Sequence, residues 1–199
     1  MRSPSTQISR LVALFEIANE LGYAGTSIAK VSARSGLPAS SVYWHFADKD
    51  ELFAEVIQHS FDEWWAALPE WDPPAGGLEL REAVATRIHG AVASIASNPE
   101  FWRLGLMLTL ERQPVEPTSR RRFIEIRGMV LENLADFWRR VLPEGHERRT
   151  PGLPERMARF TMAAADGLFV AAQAEGGDDL DVLAELLAES LVAAAVRLG

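Results

Sequence analysis

Apolar side chains recur along this chain at intervals of three and four, and no stretch shows the strict alternation, bounded by turn residues, that marks a strand. The spacing predicts helices from end to end. Ile8, Leu11, Val12, Phe15, Ala18 and Leu21 form one stripe, so residues 6–21 are expected to be an amphipathic helix ended by Gly22 and Gly25. Thr26 is expected to cap a second helix that buries Ile28, Ala29 and Val31 and stops at Gly36. Leu37-Pro38 opens a third, because a proline ring fits a first turn, and Ala47 closes it. Asp48-Lys49-Asp50-Glu51 reads as a capping box. It launches a long fourth helix through Leu52, Phe53, Val56, Ile57, Phe61 and Trp64 or Trp65 to about Leu68.

The stretch PEWDPPAGG, 69–77, breaks the pattern. A helix over 79–97 follows, with Leu80, Val84, Ile88, Val92 and Ile95 on one side, and Asn98-Pro99 restarts the chain into EFWRLGLMLTLE. QPVEPT, 113–118, is a second break. Ser119 to Leu142 reads as one helix facing inward through Phe123, Ile126, Val130, Leu134, Phe137 and Val141. PEGHERRTPGLP, 143–154, reads as a loop, and two last helices cover 154–175 and 178–198.

The segment TSIAKVSARSGLPASSVYWHF, 26–46, is poorly suited to a buried helix. Pro38-Ala39-Ser40-Ser41 is too small and polar to fill a core, and Tyr43, Trp44 and His45 in succession cannot share one helical face. A helix ending at Gly36, a short turn and a second short helix make a helix-turn-helix, whose second helix lies in the DNA major groove. That role suits the composition. Small residues at Ala39, Ser40 and Ser41 let the helix sit deep, their hydroxyls bond phosphates or base edges, and Ala39 touches a thymine methyl. Tyr43 and His45 reach phosphates from the rims. Val42 and Phe46, four apart, pack inward. Lys49, at the opening of the fourth helix, favours a phosphate.

The net charge of -8 is unusual for a nucleic-acid binder, so its distribution matters. Residues 1–49 carry five basic and three acidic side chains, a net +2 that leaves -10 for the rest; the only lysines, Lys30 and Lys49, lie in that first quarter. This fits a small DNA-contacting head on an acidic body. The absence of cysteine excludes disulfides and thiolate metal sites. No apolar run reaches the roughly 18 residues of a membrane span, and the first ten residues lack the apolar core of a signal peptide, so a cytoplasmic location is expected.

"TSIA" followed by "GLPASSVYWHFADKDEL" resembles the DNA-binding head of the TetR (tetracycline repressor) family of bacterial regulators, in which tyrosine, one variable residue, His-Phe and then a lysine before the fourth helix recur. Tyr43, Trp44, His45, Phe46 and Lys49 match in register, within residues 8–60. The resemblance implies DNA contact by Thr26 and Ser27, by Ala39, Ser40, Ser41, Tyr43, Trp44 and His45, and by Lys49. Two departures stand out. Pro38 replaces a serine-like cap, and Ala39 stands where glycine, arginine or glutamine is frequent, so specificity is expected to lean on Ser40, Ser41, Lys30 or DNA shape. The expected fold is all-α: a three-helix head over 1–50, joined by a long fourth helix to a helical ligand-binding and dimerisation domain over 51–199.

The body carries two further expectations. Residues 157–174 are apolar nearly all round, and 180–198 leave only a narrow polar stripe at Glu185 and Glu189. A two-fold dimer, packing these helices into a four-helix bundle with Leu187 and Leu191 inside, would bury the excess, and the resemblance implies the same. Trp65, His89, Trp102, Met107, Phe123, Met162 and Phe169 are candidates to line an apolar effector cavity, against the plainer role of core packing. Polar candidates are His89, Glu111, Arg127 and Asp166, the last of these expected to bond a neighbouring helix end. An enzyme reading has little support: the histidines have no metal-ligand spacing, and neither a phosphate-binding glycine loop nor a nucleophile elbow occurs. No cofactor or metal is expected. A purely helical interaction module would explain the last two helices but not residues 26–49.

Overall fold

The structure is a computed structural model describing residues 4–68, 79–97, 99–111, 117–175 and 179–199. The break at 69–77 and most of that at 113–118 lie outside these residues, as do the packing roles of Ile8, Leu11, Val12, Phe15 and Ile95. Among the described residues the regular structure is all helical: α1 Pro4–Gly25, α2 Ile28–Ser35, α3 Ala39–Tyr43, α4 Lys49–Ala67, α5 Leu80–Ser97, α6 Glu100–Leu110, α7 Thr118–Val141, α8 His146–Arg149, α9 Leu153–Glu175 and α10 Leu180–Leu198. None of the described helices is long and apolar enough to cross a membrane.

The expected stop at Gly22 is present as a break in helical geometry at φ 71°, a conformation open to glycine, and the short stretch beyond it ends at Gly25. Three local expectations need correction. The cap of α2 is Ser27, not Thr26: the backbone of Ser27 is extended and its Oγ accepts from the Lys30 amide at 3.3 Å. Thr26 is buried and its hydroxyl donates to the Gly22 carbonyl at 2.8 Å, satisfying an acceptor at the break in α1. The third helix spans only Ala39–Tyr43 instead of continuing to Ala47. The segment 143–154 contains α8, and Thr150 donates to the Leu198 carbonyl at 2.5 Å, so it is fastened to the end of α10.

The chain divides into two compact units, residues 1–63 with 100–126, and residues 64–99 with 127–199. In the first, α1 packs on α2 and α6, and α2 on α3. Leu14, Val31, Val42, Leu52, Phe53 and Ile57 are fully enclosed there. Phe101 lies at its aromatic centre, with ring centroids 5.4 Å from Phe61 and 5.2 Å from Phe123. The Phe123 ring closes directly on Gly105, where an added Cβ would fall 1.9 Å from it. In the second unit α10 packs on α5 and α9, enclosing Ala184, Ala188, Leu191 and Ala195. Two buried polar side chains there are linked in series: the Trp138 indole donates to the Thr161 hydroxyl at 3.1 Å, which donates to the Met157 carbonyl at 2.8 Å.

Candidate nucleic-acid interface

The helix-turn-helix comprises α2, a turn over 36–38 and α3. Gly36 ends α2 at φ 69°, a left-handed conformation in which glycine avoids the Cβ penalty. The Ser32 hydroxyl closes the turn by donating to the Leu37 carbonyl at 2.5 Å. Arg34 ties α2 to α1: its guanidinium donates to Glu20 at 2.9 and 3.1 Å and to Glu16 at 3.1 Å, and these carboxylates raise it above its ordinary pKa while Glu20 is lowered in return. Pro38 opens α3 without a side-chain cap, its carbonyl accepting from the Ser41 and Val42 amides at 2.9 and 3.3 Å. The Pro38 departure therefore removes a cap without preventing the helix from starting.

Val42 anchors α3 in the core at 0% exposure, whereas Tyr43 and Trp44 are 58% and 83% exposed. Ser40 and His45 are exposed as well, Ala39 and Ser41 half-buried. Trp44 meets His45 edge to face, centroids 5.2 Å apart. An indole left that far in water is unfavourable unless something covers it. The structure thus exposes Ser40 and Tyr43 on an anchored helix and Trp44 and His45 in the turn that directly follows it. Ser27 is half-buried at the α2 entry, and Lys30 is exposed, its ammonium donating to the Gly25 carbonyl at 2.6 Å.

Thr26 and Lys49 are placed differently. Thr26 is 2% exposed. Lys49 donates to the Tyr23 and Thr26 carbonyls at 2.9 and 3.3 Å and lies 4.2 Å from the Tyr23 ring centroid. The capping box forms in a shifted version: Asp48 accepts from the Asp50 and Glu51 amides at 2.8 and 3.0 Å, while Glu51 reaches one residue beyond the cap and accepts from the Ala47 amide at 2.8 Å. The role of Asp50 has no local signal in the sequence, because its partners, Thr118 and Ser119, lie 68 and 69 positions away. Burial, with the adjacent Asp50 carboxylate and more weakly Asp48 and Glu111, pushes the Tyr23 phenol up to about 12.

The candidate effector residues fall into both units. Trp102 and Phe123 are buried beside Phe101 in the first, with Met107 half-buried on α6. In the second, Met162 and Phe169 are buried on α9, Trp65 is 37% exposed, and His89 pairs with Glu185 at 3.0 Å. Asp166 bonds no helix end: Arg127 of α7 grips it through both carboxylate oxygens at 2.9 and 2.7 Å, so two of the polar candidates pair with each other. A cavity of about 60 Å³ lies between Val92, Pro99, Leu168, Phe169, Ala172, Gln173 and Leu180; Phe169 is the candidate that lines it.

Residues 11–56 match the family model described as bacterial regulatory proteins, tetR family. No curated protein matches the chain by sequence. Solved structures share the fold over nearly the whole length. A TetR-like transcriptional regulator from Rhodococcus sp. RHA1 is 21% identical, covering 99% of this chain and 98% of its own, with a TM-score of 0.72. SmeT in complex with triclosan is 20% identical over 96% and 91%, TM-score 0.73. NalD, the secondary repressor of the MexAB-OprM multidrug efflux pump in Pseudomonas aeruginosa, is 22% identical over 96% of each chain, TM-score 0.68. Residues 11–56 thus carry the DNA-binding head of the tetR family of bacterial regulatory proteins, and the described remainder of the chain shares the fold of solved transcriptional regulators.

Proposed function

We propose that the chain is a ligand-responsive repressor that binds a near-palindromic operator as a homodimer and is released by a mostly apolar small molecule. The carrying observation is the exposed set Ser40, Tyr43, Trp44 and His45, on a helix pinned by Val42 and in the turn that follows it. In this reading residues 1–50 read DNA and 51–199 receive the effector and dimerise. Ser40, Ser41 and Ala39 meet base edges, while Tyr43, Trp44, His45, Ser27 and Lys30 hold phosphates. Thr26 and Lys49 serve from a packed position, the Lys49 ammonium keeping the starts of α2 and α4 side by side. The protein acts in the cytoplasm, with no catalysis of its own.

The dimer face is argued from unburied apolar groups: Phe160 and Val170 on α9, Val182, Leu186 and Val196 on α10, all between 47% and 64% exposed. It is not the face expected from sequence, since Leu191 is fully buried in the protomer and Leu187 half-buried. Two heads held by such a bundle meet half-sites roughly 34–36 Å apart, or a multiple of that. The apolar effector is supported by the apolar lining beside Phe169 and by the triclosan bound to SmeT. At about 60 Å³ the cavity is below the roughly 300 Å³ of a drug-sized site, so entry requires its helices to part. That movement is what α4, acting as a rod, would pass to the heads. The test is a gel shift with the protein's own upstream DNA, repeated with a panel of apolar compounds. Retarded DNA released by at least one compound is expected; no retarded species at low salt would overturn the reading.

A further inference from the structure

The start of α7 is capped from far along the chain. A helix leaves its first four amides without intrahelical acceptors, and the residue just before it normally supplies one. Before α7 stands Pro117, which has no side-chain acceptor. The Asp50 carboxylate takes that place: Oδ2 accepts from the Thr118 amide at 2.5 Å, Oδ1 from the Ser119 amide at 3.1 Å and from the Ser119 hydroxyl. Carboxylate-to-amide bonds at a helix start are charge-assisted and complement the helix dipole.

Asp50 lies in the first turn of α4, close enough to the Tyr23 phenol at the end of α1 to raise its pKa. Its neighbour Lys49 holds the Tyr23 and Thr26 carbonyls. The dipeptide Lys49-Asp50 therefore joins the end of α1, the entry to α2, the start of α4 and the start of α7. The joint is intolerant of displacement, because a slide of about 1 Å along α7 stretches a 3.1 Å bond beyond bonding range. Helix α7 is continuous for 24 residues and runs on past Ile126 into the second compact unit.

We propose that Asp50 is a positioning residue through which α7 and the DNA-reading head constrain each other: a head held on DNA holds the start of α7, and a displaced α7 lets go of the head. The proposal rests on the DNA-binding reading above, and the coupling is reciprocal by linkage.

The experiment is hydrogen–deuterium exchange on the full-length chain, with and without a duplex selected by the parent protein from a random-sequence pool. In the parent, the duplex is expected to slow exchange over 39–45 and also over 120–126. In Asp50→Ala, the slowing over 39–45 is expected to persist and that over 120–126 to be lost. Ser119→Ala keeps the backbone cap and serves if Asp50→Ala does not fold; its slowing over 120–126 is expected to be weaker than the parent's. If the parent binds the duplex without slowing over 120–126, or if the variants transmit it in full, the coupling role of Asp50 is wrong while DNA binding stands. If no duplex is selected at all, both fall together.

Discussion

Gly105 and Tyr23 show how far a residue's identity is set by its surroundings. A glycine inside an exposed helix is worth replacing, since alanine there gains roughly 0.5–1 kcal/mol. Gly105 reverses the sign, because its added methyl would overlap the Phe123 ring in the centre of the first unit. Gly105→Ala is expected to destabilise the fold by about 1–3 kcal/mol, the usual range for overpacking, read as a lowered urea midpoint at unchanged slope. Tyr23 carries a pH dependence. Its phenol ionises near 12 in the folded chain against 10.0 ordinarily, so the neutral form is the one the fold favours. The sign follows: this contribution is complete below pH 10 and is lost as pH rises through about 12. The chain has only two tyrosines, so Tyr43→Phe leaves Tyr23 as the sole phenol. Its ultraviolet titration is expected to centre near 12 when folded and near 10 in urea; the same midpoint in both would remove the effect.

At the scale of the element, α3 was legible in its chemistry but not in its length. The small-polar run and the aromatic triplet marked a helix turned outward, and Val42 is buried as the spacing required. The end at Tyr43 was not legible, because helical spacing does not show where the backbone stops, and Asp48, which caps α4, lies only five residues on. Thr26 and Ser27 were indistinguishable as caps by residue type; the break at Gly22 decided between them by giving the Thr26 hydroxyl a carbonyl. Tyr43→Ala is expected to weaken binding to every DNA sequence and to reduce the salt slope by about one unit, the signature of one lost phosphate contact. Ser41→Ala is expected to change base preference at an almost unchanged slope. Lys49→Ala is a poorer probe of DNA contact, since it also frees two backbone carbonyls and lowers stability. Equal salt slopes for Tyr43→Ala and the parent would remove Tyr43 from the phosphate contacts.

For the whole molecule, α10 separates what pattern tells from what packing tells. Its apolar residues surround almost the full circumference, so periodicity alone did not say which stripe faced inward. Packing on α5 and α9 assigns Ala184, Ala188, Leu191 and Ala195 to the protomer's own core and leaves Val182, Leu186 and Val196 outside. Leu186→Glu is therefore expected to yield a folded monomer, its charge tolerated in water but not in a dimer face. Leu191→Glu is expected to unfold the protomer. Sedimentation with circular dichroism distinguishes them, and a Leu186→Glu chain that remains fully dimeric would move the interface elsewhere. The sequence by itself determined the helical character, the helix-turn-helix and the likeness of the head to the tetR family, because helical periodicity, turn glycines and a short local motif act over a few residues. Only the tertiary structure decided the inner face of α10, the Arg127–Asp166 pair and the seat of Asp50 on α7. These join residues 39 and 68 positions apart, or choose between equally apolar stripes, and packing rather than local preference settles both.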